Sequence, residues 1–219
     1  MQTYEEIKKN PKILAYINQA DASLKALGYT EHHIAHATLV ATRVEYILKT
    51  LCFDDRMIEL GKIAGFLHDI GNLVNRVDHS QSGAILAFRI LDELGFEADD
   101  IALIVSAIGN HDEGTGVPVS PLAAALIIAD KSDVRRSRVR NNDTTTFDIH
   151  DRVNYSVTKS ELKINEAHTI IKLKLFVDTH YSSVMDYFEI FMSRMILCRK
   201  AAQMLNLEFK MMFNEQQMI

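Results

Sequence analysis

Residues 58–71 read IELGKIAGFLHDIG and place a histidine–aspartate pair at the end of a predicted helix. Asp54 or Asp55 can cap the first turn of this helix, and apolar residues then recur at helical spacing until a glycine ends it. A helix end suits a metal ligand, because the helix holds the base of a side chain that still reaches outward. His68 and Asp69 are therefore the first candidate site residues.

The same helical spacing of apolar residues extends on both sides of this stretch. Further helices are predicted to begin near Pro11, after Thr30, near Ser80, near Asp99 and at Pro121. The last of these, from Leu122 to about Val134, is apolar nearly all round and is expected in the centre of a bundle. We therefore predict a helical domain over residues 1–140.

The pattern changes after Arg140. Residues 152–164 and 169–177 alternate apolar and polar side chains, which predicts two strands joined by a turn at 165–168. Residues from about 180 to 205 return to helical spacing, and residues 207–211 are predicted as a third, short strand. The predicted fold is mainly α, with a small β-β-α-β appendage over residues 150–219 whose role the sequence leaves open.

Composition excludes several classes of protein. The longest apolar run, residues 122–129, is eight residues long, whereas a membrane-spanning helix needs roughly 20. The first ten residues carry no secretory signal, and two cysteines far apart argue against a disulfide framework or a thiolate zinc site. A net charge of −5 provides no basic field for nucleic acid. We expect a cytoplasmic protein that binds neither a membrane nor nucleic acid.

Histidines and aspartates are concentrated at the predicted helix ends. The candidate metal ligands are His36, His68, Asp69, His79, His111 and Asp130. Imidazole and carboxylate together suit zinc, iron, manganese or cobalt better than calcium or magnesium. Six such residues are more than one ion with an open position would use, so two ions that share a carboxylate are predicted. Pairs of this kind catalyse displacement at phosphorus.

Residues 29–135 resemble the HD superfamily of metal-dependent phosphohydrolases. The resemblance rests on His36 with Val40-Ala41, His68-Asp69-Ile70-Gly71, His79-Ser80-Gln81-Ser82-Gly83-Ala84, His111 and Ala129-Asp130. Within the superfamily, the chain is most similar to the HD-type symmetrical dinucleoside tetraphosphate hydrolases and, less closely, to the HD-GYP phosphodiesterases. Asn72 stands where HD-GYP enzymes typically carry lysine. The fold implied for residues 1–140 is the HD-domain helical bundle.

The resemblance also implies roles for individual residues. His36, His68, Asp69 and Asp130 would hold one ion, and Asp69 would bridge to a second ion held by His79 and His111. A hydroxide between the ions, with its pKa lowered toward ~7 as on zinc, would attack phosphorus. His68 and Asp69 are the implied catalytic residues. The substrate would be a nucleotide or another small phosphate ester, and iron, manganese, zinc, cobalt and nickel stay open as the metal.

Four further residues are candidates for contacts with substrate or with the ligands. His32 precedes His36 by four positions and shares its helical face, and Asp133 follows Asp130 by three and can support a ligand. Arg135 and Arg136 can clamp a phosphate bidentately. They belong to residues 131–140, where five cations and one acid give a local charge of +4.

Two other functions stay open at this point. Some HD-fold proteins with the same six ligands resemble di-iron oxygenases, and a sensor or binding module could keep the metal site without turnover. The charge of +4 beyond Asp130 favours a phosphorylated substrate over the oxygenase alternative. Long apolar helices at a C-terminus often pair, so we also expect a homodimer through the C-terminal region.

Overall fold

The computed structural model of the chain describes residues 2–218. In chain order the elements are α1 (Tyr4–Lys9), α2 (Pro11–Ala26), α3 (Ile34–Thr50), α4 (Asp55–Leu67), α5 (His79–Glu93), α6 (Ala98–Gly109), α7 (Pro121–Lys131), α8 (Ile149–Ser156), β1 (Val157–Ile164), β2 (Ile170–Val177), α9 (Val184–Met204), β3 (Glu208–Phe213) and β4 (Gln216–Gln217). Short 3-10 turns cover Ile70–Leu73, Arg136–Arg138 and Thr144–Thr146. The described chain is therefore mainly helical, with a small C-terminal sheet.

Side-chain caps determine where several helices begin. The Asn10 side chain accepts hydrogen bonds from the first turn of α2, and the Asp54 carboxylate accepts one from the backbone of α4. The Ser120 hydroxyl accepts from the backbone N–H of Ala123, while the next residue is a proline, which needs no hydrogen-bond partner at that position. These are the start signals that the sequence carries, because capping depends only on neighbouring residues.

Helix α7 lies in the centre of the helical part, as its composition predicts. All residues from Leu122 to Ala129 are fully buried, and α7 packs against α3, α4, α6 and α9. The helix ends at Lys131 rather than near Val134. Its C-terminal end delivers Asp130 to the candidate site.

The sheet has the strand order β1-β2-β3-β4. Strands β1 and β2 pair antiparallel, β2 and β3 pair parallel, and β3 and β4 pair antiparallel. Because β2 and β3 run in the same direction, the chain must cross over between them, and α9 forms this crossover. The inward residues of the two central strands are Ile171, Leu173 and Leu175 opposite Phe209, Met211 and Phe213, all of them buried.

The prediction of a strand from residue 152 was wrong for the first five residues of that segment. Residues 152–156 belong to α8, and β1 begins at Val157. The Asp148 carboxylate accepts a hydrogen bond from the Asp151 backbone and so caps a helix. A local cap therefore outweighs an alternation of only three apolar positions. The fourth strand, β4, was also not predicted.

Residues from both halves of the chain contribute to one cluster of buried hydrophobic side chains. Helix α9 packs against α7 on one side and β3 on the other. This position brings residues of α9 next to the end of α7 and thus to the candidate site. No helix among residues 2–218 combines the length and the hydrophobicity that spanning a bilayer requires.

Candidate metal centre

Five helices bring the predicted ligands to one place. His36 lies in the first turn of α3, His68 follows the last residue of α4, and His79 begins α5. His111 follows the end of α6, and Asp130 lies in the last turn of α7. All five side chains are buried or nearly so, which is unusual for charged and imidazole groups unless they are paired or bind an ion.

The first group of ligand atoms comes from His36, His68 and Asp130. The Nε2 atoms of the two histidines are 3.3 Å apart. Asp130 Oδ1 lies 3.3 Å from the Nε2 of His36 and 3.5 Å from that of His68. These three atoms lie within 4.8 Å of one another, which is close enough to hold one ion.

Asp69 connects this group to a second one. Its Oδ2 lies 3.3 Å from His68 Nε2 and 3.5 Å from His36 Nε2, while its Oδ1 lies 3.4 Å from His79 Nε2. His68, Asp69 and His111 form a second set of atoms that could hold an ion. The two oxygens of Asp69 therefore face different imidazole nitrogens, Oδ2 those of His36 and His68 and Oδ1 that of His79, while His68 belongs to both groups that could hold an ion.

All four histidines are oriented in the same way. Nδ1 of His68, His79 and His111 donates to the backbone carbonyls of residues 65, 76 and 108, at 2.8, 3.1 and 2.6 Å. Nδ1 of His36 donates to the Asp133 carboxylate at 2.8 Å. A hydrogen bond at Nδ1 selects the tautomer that presents the Nε2 lone pair, and metal-binding histidines are held in this manner.

One of these nitrogens has no partner within the described part of the chain. The Nε2 of His111 is buried and makes no hydrogen bond. An unsatisfied buried acceptor costs about 1–3 kcal/mol, and a bound cation would remove that cost. Together with the donor set of imidazole and carboxylate, this residue shows that the site fits a divalent transition-metal ion.

The electrostatics of the centre keep its two carboxylates ionised. Burial opposes the negative charge of Asp69, but His68 outweighs it and holds the pKa of Asp69 well below its usual range. Burial likewise opposes the charge of Asp130, and Lys131 outweighs it with the same result for that pKa. Burial also opposes a proton on His68, yet the two carboxylates raise the pKa of His68 to about 10. Both carboxylates are therefore ionised and available to a cation.

Two of the four additional candidates support the histidines. Asp133 is fully buried, and its second oxygen accepts from Arg135 Nε at 2.8 Å while the first accepts from His36. Arg135 thus holds Asp133 rather than facing the cavity described below. His32 lies at the cavity wall, with its ring centroid 5.6 Å from that of His36. Burial lowers the pKa of His32, so this ring is neutral.

Arg136 is not brought to the centre. Its guanidinium donates to the Tyr155 carbonyl at 2.6 Å and lies over the rings of Tyr155 and Tyr181. It also pairs with Asp178 at 3.3 Å. The reason is geometric: the backbone is extended at Arg135, and successive side chains of an extended chain point to opposite sides.

A cavity of about 220 Å³ opens beside the centre. Asp69, His79 and Asp130 form its inner end, and four cationic residues line it, namely Arg76, Lys131, Arg138 and Arg194. Lys131 Nζ lies 2.8 Å from Asp130 Oδ2 and 2.6 Å from Glu113 Oε2, and Arg194 donates to the same Glu113 at 2.7 Å. Its outer wall contains Tyr29 and residues of α8.

Sequence reasoning missed most of these cavity residues. Lys131 and Arg76 could have been noticed, because one follows Asp130 and the other precedes His79 by three positions. Asp112, whose Oδ1 lies 3.8 Å from His79 Nε2, adjoins a predicted ligand in the same way. Arg194 gives no such signal, since only the packing of α9 against α7 brings it near Asp130.

Comparisons with known proteins give distant similarities. No protein-family model matches the chain. It is 27% identical to an uncharacterized protein of Methanocaldococcus jannaschii over 185 residues, which cover 73% of this chain and 70% of that protein. It is also similar to the crystal structure of a predicted HD superfamily hydrolase from an uncultured Thermotogales bacterium, with 26% identity and a TM-score of 0.45. That similarity covers 62% of this chain and 75% of the other.

Proposed function

We propose that this chain is an HD-type, metal-dependent phosphohydrolase that binds two divalent transition-metal ions and hydrolyses a nucleotide or another small phosphate ester. One observation carries the proposal: Oδ2 of Asp69 lies near the Nε2 atoms of His36 and His68, its Oδ1 lies near that of His79, and the carboxylate lines a cavity together with several cations. A bridging carboxylate between two ions is the arrangement that supports displacement at phosphorus.

In the proposed centre, the ligands would divide between two positions. His36, His68, Asp130 and Oδ2 of Asp69 would hold the first ion, and His79, His111 and Oδ1 of Asp69 would hold the second. The bound ions would supply Lewis-acid polarisation of a phosphoryl oxygen and lower the pKa of water.

Other groups of the protein hold the histidine ligands in position. Asp133 accepts a hydrogen bond from the Nδ1–H group of His36 and so keeps that ring in one orientation, and backbone carbonyls do the same for the other three histidines. These hydrogen bonds at Nδ1 leave the Nε2 atom of each ring available as a ligand atom. Such pre-orientation spares the site a reorganisation cost when it binds and reacts.

The cations of the cavity account for the choice of a phosphorylated substrate. Lys131 and Arg194 share Glu113, and Arg76 Nη1 lies 3.9 Å from Asp69 Oδ1. A phosphate that bears two or more negative charges would be stabilised by such donors through charge-assisted hydrogen bonds. An oxygenase that acts on an uncharged substrate would gain no electrostatic stabilisation of that substrate from these cations.

The polar residues of α8 favour an organic part that carries hydrogen-bonding groups. Asp148, which caps α8, and Asp151 and Asn154 of α8 also line the cavity. Carboxylate and amide oxygens there would accept hydrogen bonds from hydroxyl groups, as in a ribose, and would repel additional phosphates. A mononucleotide or a sugar phosphate fits this distribution of charge better than a long polyphosphate.

Elemental analysis beside a phosphate-ester screen tests the proposal. The wild-type protein, purified and reloaded, should hold about two transition-metal ions per chain and hydrolyse at least one phosphate ester. Asp69→Ala should lose at least one ion and the activity, because both positions use that carboxylate. The matched control is Asp92→Ala, an exposed aspartate of α5 far from the ligands, which should change neither.

Three results would contradict the proposal. Equal metal contents in wild type and Asp69→Ala would show that Asp69 is not a metal ligand. Oxygen consumption by the iron-loaded protein, with no hydrolysis of any phosphate ester in the screen, would reassign the chain to the oxygenase alternative. Ligand-dependent stabilisation without turnover would favour the binding module instead.

A further inference from the structure

Helix α9 has an exposed stripe whose members recur every three or four residues. The stripe consists of Met185, Glu189, Met192, Ile196, Arg199 and Gln203. The steps of four and three alternate along its whole length, which is the seven-residue repeat of helices that pair side by side. The opposite face of the helix is buried against α7 and the sheet. The repeat therefore belongs to the face that the rest of the described chain leaves open.

Three of the six residues of this stripe are apolar. Met185, Met192 and Ile196 are 74%, 47% and 40% exposed. Phe188 and Met218 lie beside Met192 and Ile196 and complete an apolar groove along the helix. Single exposed hydrophobic residues need no explanation, whereas a continuous apolar surface marks an interaction site.

The order of residues in the stripe is complementary to itself when one copy is reversed. Positions equally distant from residue 194 then face each other, so Met192 lies opposite Ile196 and Glu189 lies opposite Arg199. Each contact occurs twice, as a two-fold axis requires. The centre of the pair is apolar, and a charge pair of opposite sign lies on either side of it.

A parallel arrangement would have the opposite effect on the charges. Glu189 would face a second Glu189, and Arg199 a second Arg199. Like charges at directly facing positions of paired helices are destabilising, and charge pattern selects orientation in such pairs. Beside the stripe, Asp186 and Lys200 carry opposite charges at its two ends, which favours the same reversed arrangement.

We propose that a second copy of this chain docks on the exposed stripe of α9, so that the two helices pair antiparallel around a two-fold axis near residue 194. At 1.5 Å per residue, the 21 residues of α9 form a helix about 31 Å long, which is sufficient for six side-chain positions to meet. The proposal rests on the surface pattern alone and does not depend on the activity of the metal centre.

The dimer would also stabilise one wall of the cavity. Phe191 and Arg194 lie on the other side of α9 and line the cavity beside the metal centre. A helix held on both faces moves less than one held on a single face. The paired α9 helices would therefore fix the position of Arg194 in each subunit.

Charge reversal on the full-length protein tests the pairing. Sedimentation should show a dimer of the wild type at micromolar concentrations. Glu189→Arg or Arg199→Glu alone should raise the dissociation constant by roughly tenfold or more, because each places like charges opposite each other twice per dimer. The double variant Glu189→Arg/Arg199→Glu should restore the dimer. Glu166→Arg, a reversal in the exposed turn between β1 and β2, is the matched control and should have no effect.

Disulfide cross-linking tests the register. In a Cys52→Ser background, Met192→Cys and Ile196→Cys variants are mixed and oxidised, and the buried Cys198 is left in place. The mixed disulfide should form faster than either homodisulfide, because residue 192 of one copy faces residue 196 of the other. A monomer at all concentrations would overturn the proposal. So would a dimer whose dissociation constant is unchanged by the charge reversals and whose mixed disulfide forms no faster than the homodisulfides. A monomer would leave the stripe to a different partner.

Discussion

Replacement of Asp133 should weaken metal binding although this residue lies outside the ligand set. Its carboxylate accepts a hydrogen bond from His36 Nδ1 at 2.8 Å and a second one from Arg135 Nε at 2.8 Å. The negative charge makes the His36 ring more basic, and the hydrogen bond selects the tautomer that presents Nε2. Both effects act on metal affinity through His36 alone.

The expected loss of metal affinity depends on which interactions with His36 each replacement of Asp133 retains. Removal of a partner of this kind typically lowers metal affinity by about 10–100-fold. Asp133→Asn keeps an oxygen that can accept from Nδ1 and loses only the charge, so a decrease of about tenfold, or ~1.4 kcal/mol, is expected. Asp133→Ala loses the hydrogen bond as well and should approach a hundredfold decrease, or ~2.7 kcal/mol.

Competition with a chromophoric chelator measures these affinities on the metal-free protein. Asp178→Asn is the matched control, because Asp178 also pairs with an arginine, Arg136, but has no contact with a histidine of the centre. It should leave the metal affinity unchanged. Equal affinities for wild type and Asp133→Ala, in a protein whose circular dichroism is unaltered, would refute the assigned role of Asp133.

Other perturbations probe the core, the thiols and the acid–base behaviour of the fold. Leu126→Ala should lower the free energy of unfolding by about 2–5 kcal/mol in a urea titration, because Leu126 is fully buried in α7, whereas exposed Ile85→Ala should change it by less than about 0.5 kcal/mol. Ellman's reagent should react with one thiol in the native protein and two in denaturant, since Cys52 is exposed and burial raises the pKa of Cys198 to about 12; two fast native thiols would contradict this packing. Burial and the nearby Glu5 raise the pKa of Tyr4 from 10.0 to about 12, so the unfolded state ionises first and stability falls as the pH rises between those values. Tyr4→Phe should make that fall shallower, and an unchanged slope would show that other groups cause it.

Local signals account for the parts of the fold that could be predicted. Caps and apolar spacing locate α2, α4 and α7, because both depend on residues within one or two turns. The error at residues 152–156 has the same origin, since a short alternation and a cap at Asp148 made opposite predictions. The parallel pairing of β2 with β3 is a contact between distant segments, and no local pattern indicates it.

The same distinction between local signals and long-range contacts applies to the candidate site. The amino-acid sequence by itself indicated which six residues could bind metal, because their types and their places at helix ends are visible in the chain order. Only the tertiary structure decided which nitrogens face inward and which cations line the cavity. Arg135 and Arg136 are neighbours in the chain but point to opposite sides, whereas Arg194 reaches the centre from α9. The physical reason is that side-chain direction and long-range packing depend on the whole fold, while caps and periodicity depend on the nearest residues.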